Sequence, residues 1–288
     1  MRQHVVASLA VREWGDPAQP GVLLWPGLGA TAAYFASIAG DLPYRAVAVD
    51  PPGLGSSAPL EPRSYGRLVE LARALVERCE CRAIVGHSLG AYVAVGVAAA
   101  PPAGLQAAVL IDGGFMEADD MAALGMPVTD DRARLVQWLA ANALRFPTWD
   151  SAIHELAVII GSDESPAFKA YVREVFAEID GEITELATPE RAADLLLATF
   201  DHEARGLAQK LAVPTLLIAS GQPAQRRALR ERAWQAFASG SPLVKLHVAD
   251  DWGHNPIFQE PGALASLIGN WINGHVSAAG QSAKAPRP

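Results

Sequence analysis

Apolar residues along this chain come in short β-branched bursts, separated by longer stretches in which one helical face is apolar. Positions 5–14 read as one or two strands closed by the turn Gly15-Asp16-Pro17, and 22–25 as a short buried strand ending at Pro26-Gly27. Another buried strand, 46–49, stops at a loop dense in turn residues, 50–57. Positions 65–78 then show helical spacing, with Leu68, Leu71, Ala72 and Leu75 on one face. The run 82–85 precedes an alanine-rich helical stretch, 91–100, and 107–111 is a further strand ended by Asp112-Gly113-Gly114. Strands alternating with helices predict βαβ units and a mostly parallel, twisted sheet flanked by helices.

The alternation pauses over 115–211, where helical patterns (132–144, 165–179 and 189–200) occur without a convincing strand. It resumes with a strand at 213–219, a helix at 225–237, a strand at 243–248 and a closing helix at 261–272. One core, 1–114 and 212–274, interrupted by a helical cap at 115–211, fits this order better than two independent domains. The tail 275–288, rich in Ala, Ser, Gly and Pro, has little to bury and is expected to stay unpacked.

With 50% hydrophobic residues in 288, the chain has ample material for a buried core. A net charge of -8 and the lack of a Lys/Arg cluster argue against nucleic acid or an anionic membrane surface as a partner, so a small molecule is expected instead. The first residues lack a long apolar region and no stretch reaches membrane-spanning length, which makes a cytoplasmic location the expectation. Cys79 and Cys81 are too close for an ordinary disulfide and have no partner pair at zinc-site spacing, so they read as reduced structural thiols. Nothing in the sequence calls for a metal or an organic cofactor.

Chemistry enters at Gly86-His87-Ser88-Leu89-Gly90, a G-x-S-x-G motif lying between a strand and a helix. A sharp turn there pushes the serine hydroxyl above the sheet, and the flanking glycines let strand and helix approach. A serine hydroxyl needs a base within hydrogen-bond reach, and His254 sits on a loop just after the last predicted strand. The Leu89 N–H, at a helix N-terminus, would face a developing oxyanion.

The ordered series of motifs resembles the α/β-hydrolase superfamily from about residue 15 to 271. Leu24-Trp25-Pro26-Gly27-Leu28-Gly29 matches its oxyanion loop, Asp50 to Ser57 its D-x-x-G-x-G-x-S turn, 86–90 its nucleophile elbow, and Trp252-Gly253-His254-Asn255-Pro256 the context of its histidine. The resemblance implies Ser88 as nucleophile, His254 as base, and the Leu28 N–H as second oxyanion donor beside Leu89. Asp50 is expected to close its loop onto the sheet.

Two departures stand out. Pro26 replaces the usual histidine, removing an imidazole and a backbone donor. The loop after strand 213–219, where most relatives place their acid, reads Ser220-Gly221-Gln222-Pro223-Ala224-Gln225-Arg226-Arg227 and holds no carboxylate. Asp112, at another strand end, is the expected acid, with Asp250 and Asp251 as fallbacks; Glu231 lies too far along a helix. Trp25, Phe115, Trp138 and Trp149 are candidates to line the substrate pocket, and Met116, Met121 and Met126 could join them. No paired arginines stand at an evident spacing for acid recognition, so the expected substrate is a neutral, moderately hydrophobic carboxylic ester, thioester or lactone. A carbon–carbon hydrolase, a lyase or cyclase, and a receptor-like binder with little turnover remain alternatives.

Overall fold

The computed structural model describes residues 1–200 and 204–276. Strands β1 (Arg2–Val6) and β2 (Leu9–Trp14) form a hairpin turning at Ala7 and Ser8, followed by β3 (Gly21–Trp25) and a 3-10 turn (Ala32–Phe35). Next come α1 (Ala36–Ala39), β4 (Arg45–Val49), α2 (Tyr65–Arg78), β5 (Cys81–His87), α3 (Leu89–Ala99) and β6 (Ala107–Ile111). The chain then leaves the sheet through α4 (Ala118–Ala123), α5 (Arg132–Ala141), β7 (Arg145–Phe146), α6 (Trp149–Ile160), α7 (Pro166–Val175), β8 (Phe176–Ile179), β9 (Glu182–Glu185), α8 (Pro189–Phe200) and α9 (Ala204–Ala208). It returns with β10 (Thr215–Ser220), α10 (Ala224–Ser239), β11 (Val244–Ala249), α11 (Pro256–Gln259) and α12 (Pro261–His275).

The main sheet has the order β1-β2-β4-β3-β5-β6-β10-β11, antiparallel at β1, β2 and β4 and parallel from β4 onward. Period-two alternation explains its two cores. Leu23 and Trp25 of β3, Ile84 of β5 and Leu110 of β6 join the face covered by α2, α3 and α10. Val22 and Leu24, Val85, and Val109 and Ile111 point to the opposite face, against Phe35, Ile38 and Ile268. Helix α2 is capped by the Ser64 hydroxyl, which accepts the Arg67 N–H at 3.2 Å, and buries Leu68, Leu71, Ala72 and Leu75 on the expected face. Truncating a fully buried residue such as Leu68 to alanine would cost about 2–5 kcal/mol.

The segment between β6 and β10 departs from the helices-only expectation, because β7, β9 and β8 form a separate three-stranded antiparallel sheet. The helix expected over 165–179 stops at Val175 and continues as strand β8. Asp180 (φ 52°) and Gly181 (φ 83°) turn the chain into β9; such an Asp-Gly pair is a strong hairpin signal in the sequence. Helix α6 is absent from the expectations above, although Thr148 and Ser151 cap its start and left-handed Gly161 (φ 76°) ends it. The greater part of the expected unpacked tail, 277–288, lies outside the described residues, and His275 itself closes α12 with Nδ1 2.8 Å from the Trp271 carbonyl.

Candidate active site

Ser88 occupies the link between β5 and α3 with φ 52° and ψ -117°, a backbone geometry that L-residues rarely adopt. Its neighbours make that turn feasible. A Cβ on Gly86 would lie 2.2 Å from the Gly90 carbonyl oxygen, and one on Gly90 would lie 2.2 Å from that of Trp25. Helix and strands therefore approach at distances only glycine allows. The Ser88 N–H donates to the Ile111 carbonyl at 2.9 Å, which ties the turn to the end of β6.

His254, on the loop between β11 and α11, reaches Ser88 across 166 residues of sequence. Its Nε2 is 3.0 Å from Ser88 Oγ and its Nδ1 is 2.7 Å from Asp112 Oδ2. Asp112 follows β6 in a left-handed conformation (φ 46°), which an aspartate tolerates better than most residues. Its other oxygen, Oδ1, accepts the Ser220 N–H at 2.9 Å and pairs with the Arg230 guanidinium of α10. Burial opposes ionisation of this carboxyl. The hydrogen bond from His254, the charges of His254 and Arg230, and the Ser220 N–H outweigh it and hold Asp112 below the usual carboxylate range. Asp250 and Asp251, the fallback acids, do not reach the histidine: Asp250 pairs with Arg227 at 2.6 Å and Asp251 is exposed. Asp50 ties down the 50–57 loop, accepting the Ala32 N–H at 2.9 Å and the Ser56 N–H at 3.1 Å.

The loop carrying His254 has its own brace, from a residue that sequence reasoning left without a role. His87 Nε2 lies 2.7 Å from the His254 carbonyl oxygen, and its ring stacks on Tyr34 with centroids 4.8 Å apart. Burial, then the nearby charge of His254, lowers the His87 pKa to about 3, so its imidazole stays neutral and Nε2–H donates. The Tyr34 hydroxyl donates to Asn255 Oδ1 at 3.2 Å, a second tether to the same loop.

On the other side of Ser88, a Cβ on Gly27 would lie 3.1 Å from Ser88 Cβ, which places the 26–29 loop against the serine. Leu28 of this loop lines the same cavity as Ser88, and the Leu89 N–H belongs to the first turn of α3, where helical N–H groups have no intrahelical acceptor. A chain of carboxylate, imidazole and hydroxyl of this kind is able to activate an oxygen nucleophile. Among the described residues, no group of three or more His, Cys, Asp or Glu is disposed to hold a metal ion. Cys79 and Cys81 are both buried and unbonded, with thiol pKa values raised by burial.

A cavity of about 310 Å3 opens beside Ser88 and His254. Its apolar wall comes from Leu28, Leu89, Met116, Met121, Leu124, Met126 and Leu196, and its polar wall from Gln222, Arg226 and Arg230. The four aromatic residues expected there lie elsewhere. Trp25 is fully buried in the core, Phe115 packs edge-on against Trp234, Trp138 is on the exposed side of α5, and Trp149 sits under Arg173 at 4.9 Å. Large apolar side chains fill the cores first, and the more pliable methionines remain to line the cavity. Arg226 and Arg230, four residues apart on α10, both line this cavity, but Arg230 is committed to Asp112, so the two do not form a pair free to recognise an acid.

Fold and site together define a hydrolase of α/β architecture. The chain belongs to the alpha/beta hydrolase family, whose sequence model matches residues 22–267. It is 27% identical over 291 residues to the 3-hydroxybutyrate-oligomer hydrolase of Cupriavidus necator, an alignment covering 89% of this chain and 90% of that protein. Among solved structures it resembles E-2-(acetamidomethylene)succinate hydrolase (TM-score 0.71, 20% identity, 94% of this chain and 98% of that one). The thioesterase domain from the curacin biosynthetic pathway gives TM-score 0.69 at 20% identity, covering 93% and 97% of the two chains. An M. tuberculosis esterase gives 0.67 at 20%, covering 94% and 91%. The three structures support the fold. No helix among the described residues is long and apolar enough to cross a membrane.

Proposed function

We propose that the protein is a serine ester hydrolase acting on short, moderately hydrophobic carboxylic esters. The observation that carries this reading is the continuous relay from Asp112 through His254 to Ser88, with separations of 2.7 and 3.0 Å. In the reaction, Ser88 Oγ attacks the ester carbonyl carbon while His254 Nε2 takes its proton. The N–H groups of Leu28 and Leu89 stabilise the tetrahedral oxyanion. Collapse breaks the bond to the alkoxy oxygen, which leaves with the proton from His254. Water then attacks the acyl-enzyme with His254 again as base, releasing the carboxylic acid and restoring the Ser88 hydroxyl. Asp112 holds the imidazole in the Nδ1–H tautomer and stabilises the imidazolium.

The curated relative is named for cleaving oligomers of a short hydroxy acid. A cavity of about 310 Å3 with methionines along one wall has the size and pliability for an ester of that kind. The test is hydrolysis of a short p-nitrophenyl ester series by the wild type and Ser88→Ala, with intact-mass detection of a fluorophosphonate adduct. Turnover that Ser88→Ala abolishes, with the adduct on Ser88, is the expected result. Folded protein that gives neither turnover nor adduct would overturn the reading in favour of a lyase or a binding protein.

A further inference from the structure

Resting on the ester-hydrolase reading, we propose that Arg226 receives a free carboxylate on the substrate, so that the site selects esters of anionic hydroxy acids over neutral esters. Arg226 is the charge left over at the cavity. Of the two arginines that α10 presents to it, Arg230 is buried and already neutralised by Asp112, with Nη1 donating to the Gln222 carbonyl at 3.0 Å. Arg227, next in sequence, is drawn off to Asp250 at 2.6 Å and Glu231 at 3.9 Å. Arg226 lines the same cavity as Ser88, is exposed, and its guanidinium has no carboxylate or hydrogen-bond partner among the described residues.

Two acids of the segment after β6, Glu117 and Asp120, are engaged by Arg205. Glu117 accepts the Arg205 N–H at 2.6 Å, and Asp120 pairs with the Arg205 guanidinium at 2.8 Å. The cavity thus combines an apolar lining of methionine and leucine with one guanidinium that has no partner among the described residues. In a chain of net charge -8, which repels anions at long range, a local cation is what an anionic substrate requires. A guanidinium also matches a carboxylate geometrically, since its planar fork donates two parallel hydrogen bonds. The substrate this fits carries a scissile ester, a short apolar backbone and a terminal carboxylate, as a linear hydroxy-acid oligomer does.

The experiment compares the linear 3-hydroxybutyrate dimer with its terminal carboxamide, which has the same shape without the charge. Wild type, Arg226→Gln and Arg226→Lys are assayed for kcat and KM, and binding of both compounds to Ser88→Ala and to Ser88→Ala/Arg226→Gln is measured by calorimetry. The wild type is expected to favour the acid by about tenfold in kcat/KM, carried by KM, since a charge-assisted hydrogen bond at a partly exposed site has about that worth. Arg226→Gln should bring the ratio close to one, Arg226→Lys should restore part of it, and added salt should shrink it. Equal binding of acid and amide by Ser88→Ala, or a preference that survives Arg226→Gln, overturns the assignment. The binding arm decides Arg226 even if no ester is turned over, and a missing fluorophosphonate adduct would count against Ser88 alone.

Discussion

Arg230 and Asp112 form a buried ion pair on the carboxylate oxygen that His254 does not use. Asp112 thus has two basic neighbours, one on each carboxylate oxygen. The charge of Arg230 is one of the causes that hold its carboxyl below the usual carboxylate range.

Replacing Arg230 with methionine should show what this buried pair contributes to stability. Breaking a buried pair by removing one partner costs about 3–5 kcal/mol, so Tm should fall by about 5–15 °C in a thermal melt. An unchanged Tm would mean that the pair contributes nothing to stability.

Asp112→Asn should lose about 10^3- to 10^4-fold in kcat, because an amide cannot hold the imidazole in the same tautomer. It should also lose stability, since Arg230 is then buried without a counter-charge. The double variant Asp112→Asn/Arg230→Met is expected to recover much of the lost Tm and none of the lost kcat. Ionised Asp112, with its pKa depressed in the fold, contributes stability that is complete above the usual carboxylate range and is lost as the pH falls through the folded-state value.

His87 makes acid lability a property of the fold. Its pKa is about 3 when folded and close to 6.5 when free, so between these values the unfolded chain binds a proton that the folded protein refuses. Stability therefore falls as the pH drops below about 6.5, by up to about 1.4 kcal/mol per unit from this group. His87→Gln keeps an N–H donor for the His254 carbonyl and removes the titration. Denaturant melts at pH 7, 6 and 5 should show a shallower decline for the variant; identical slopes would assign the lability to other groups.

Gly113→Ala should impair turnover without unfolding the protein. A Cβ there would lie 2.2 Å from the Ser88 carbonyl oxygen, and that contact is with backbone, so the serine turn must shift. A displacement of the order of 1 Å at the nucleophile costs about a hundredfold in rate. Far-UV circular dichroism like that of the wild type with kcat/KM down by about that factor is the expected result.

What the sequence revealed followed the range of the signal. The residues around Ser88 and His254 could be read because their motifs are contiguous and because glycines at 86 and 90 answer a local steric demand. Asp112 could be read from its place at a strand end. Arg230 could not, since its pairing with Asp112 spans 118 residues and depends on which face of α10 turns inward. The aromatic residues misled because size and apolarity say that a side chain is buried without saying against what. The β8–β9 hairpin was legible in Asp180-Gly181, but helical spacing upstream concealed it.

The bond from His87 to the His254 carbonyl joins the residue preceding Ser88 to the backbone of His254. Serine and histidine are therefore clamped at two points, side chain to side chain and ring to main chain, whereas Met116, Met121, Met126 and Leu196 come from the stretch outside the main sheet. Substitutions along that stretch can reshape what the cavity accepts while Ser88, His254 and Asp112 keep their register. Divergence within such a lineage would accumulate in diet before it touched chemistry.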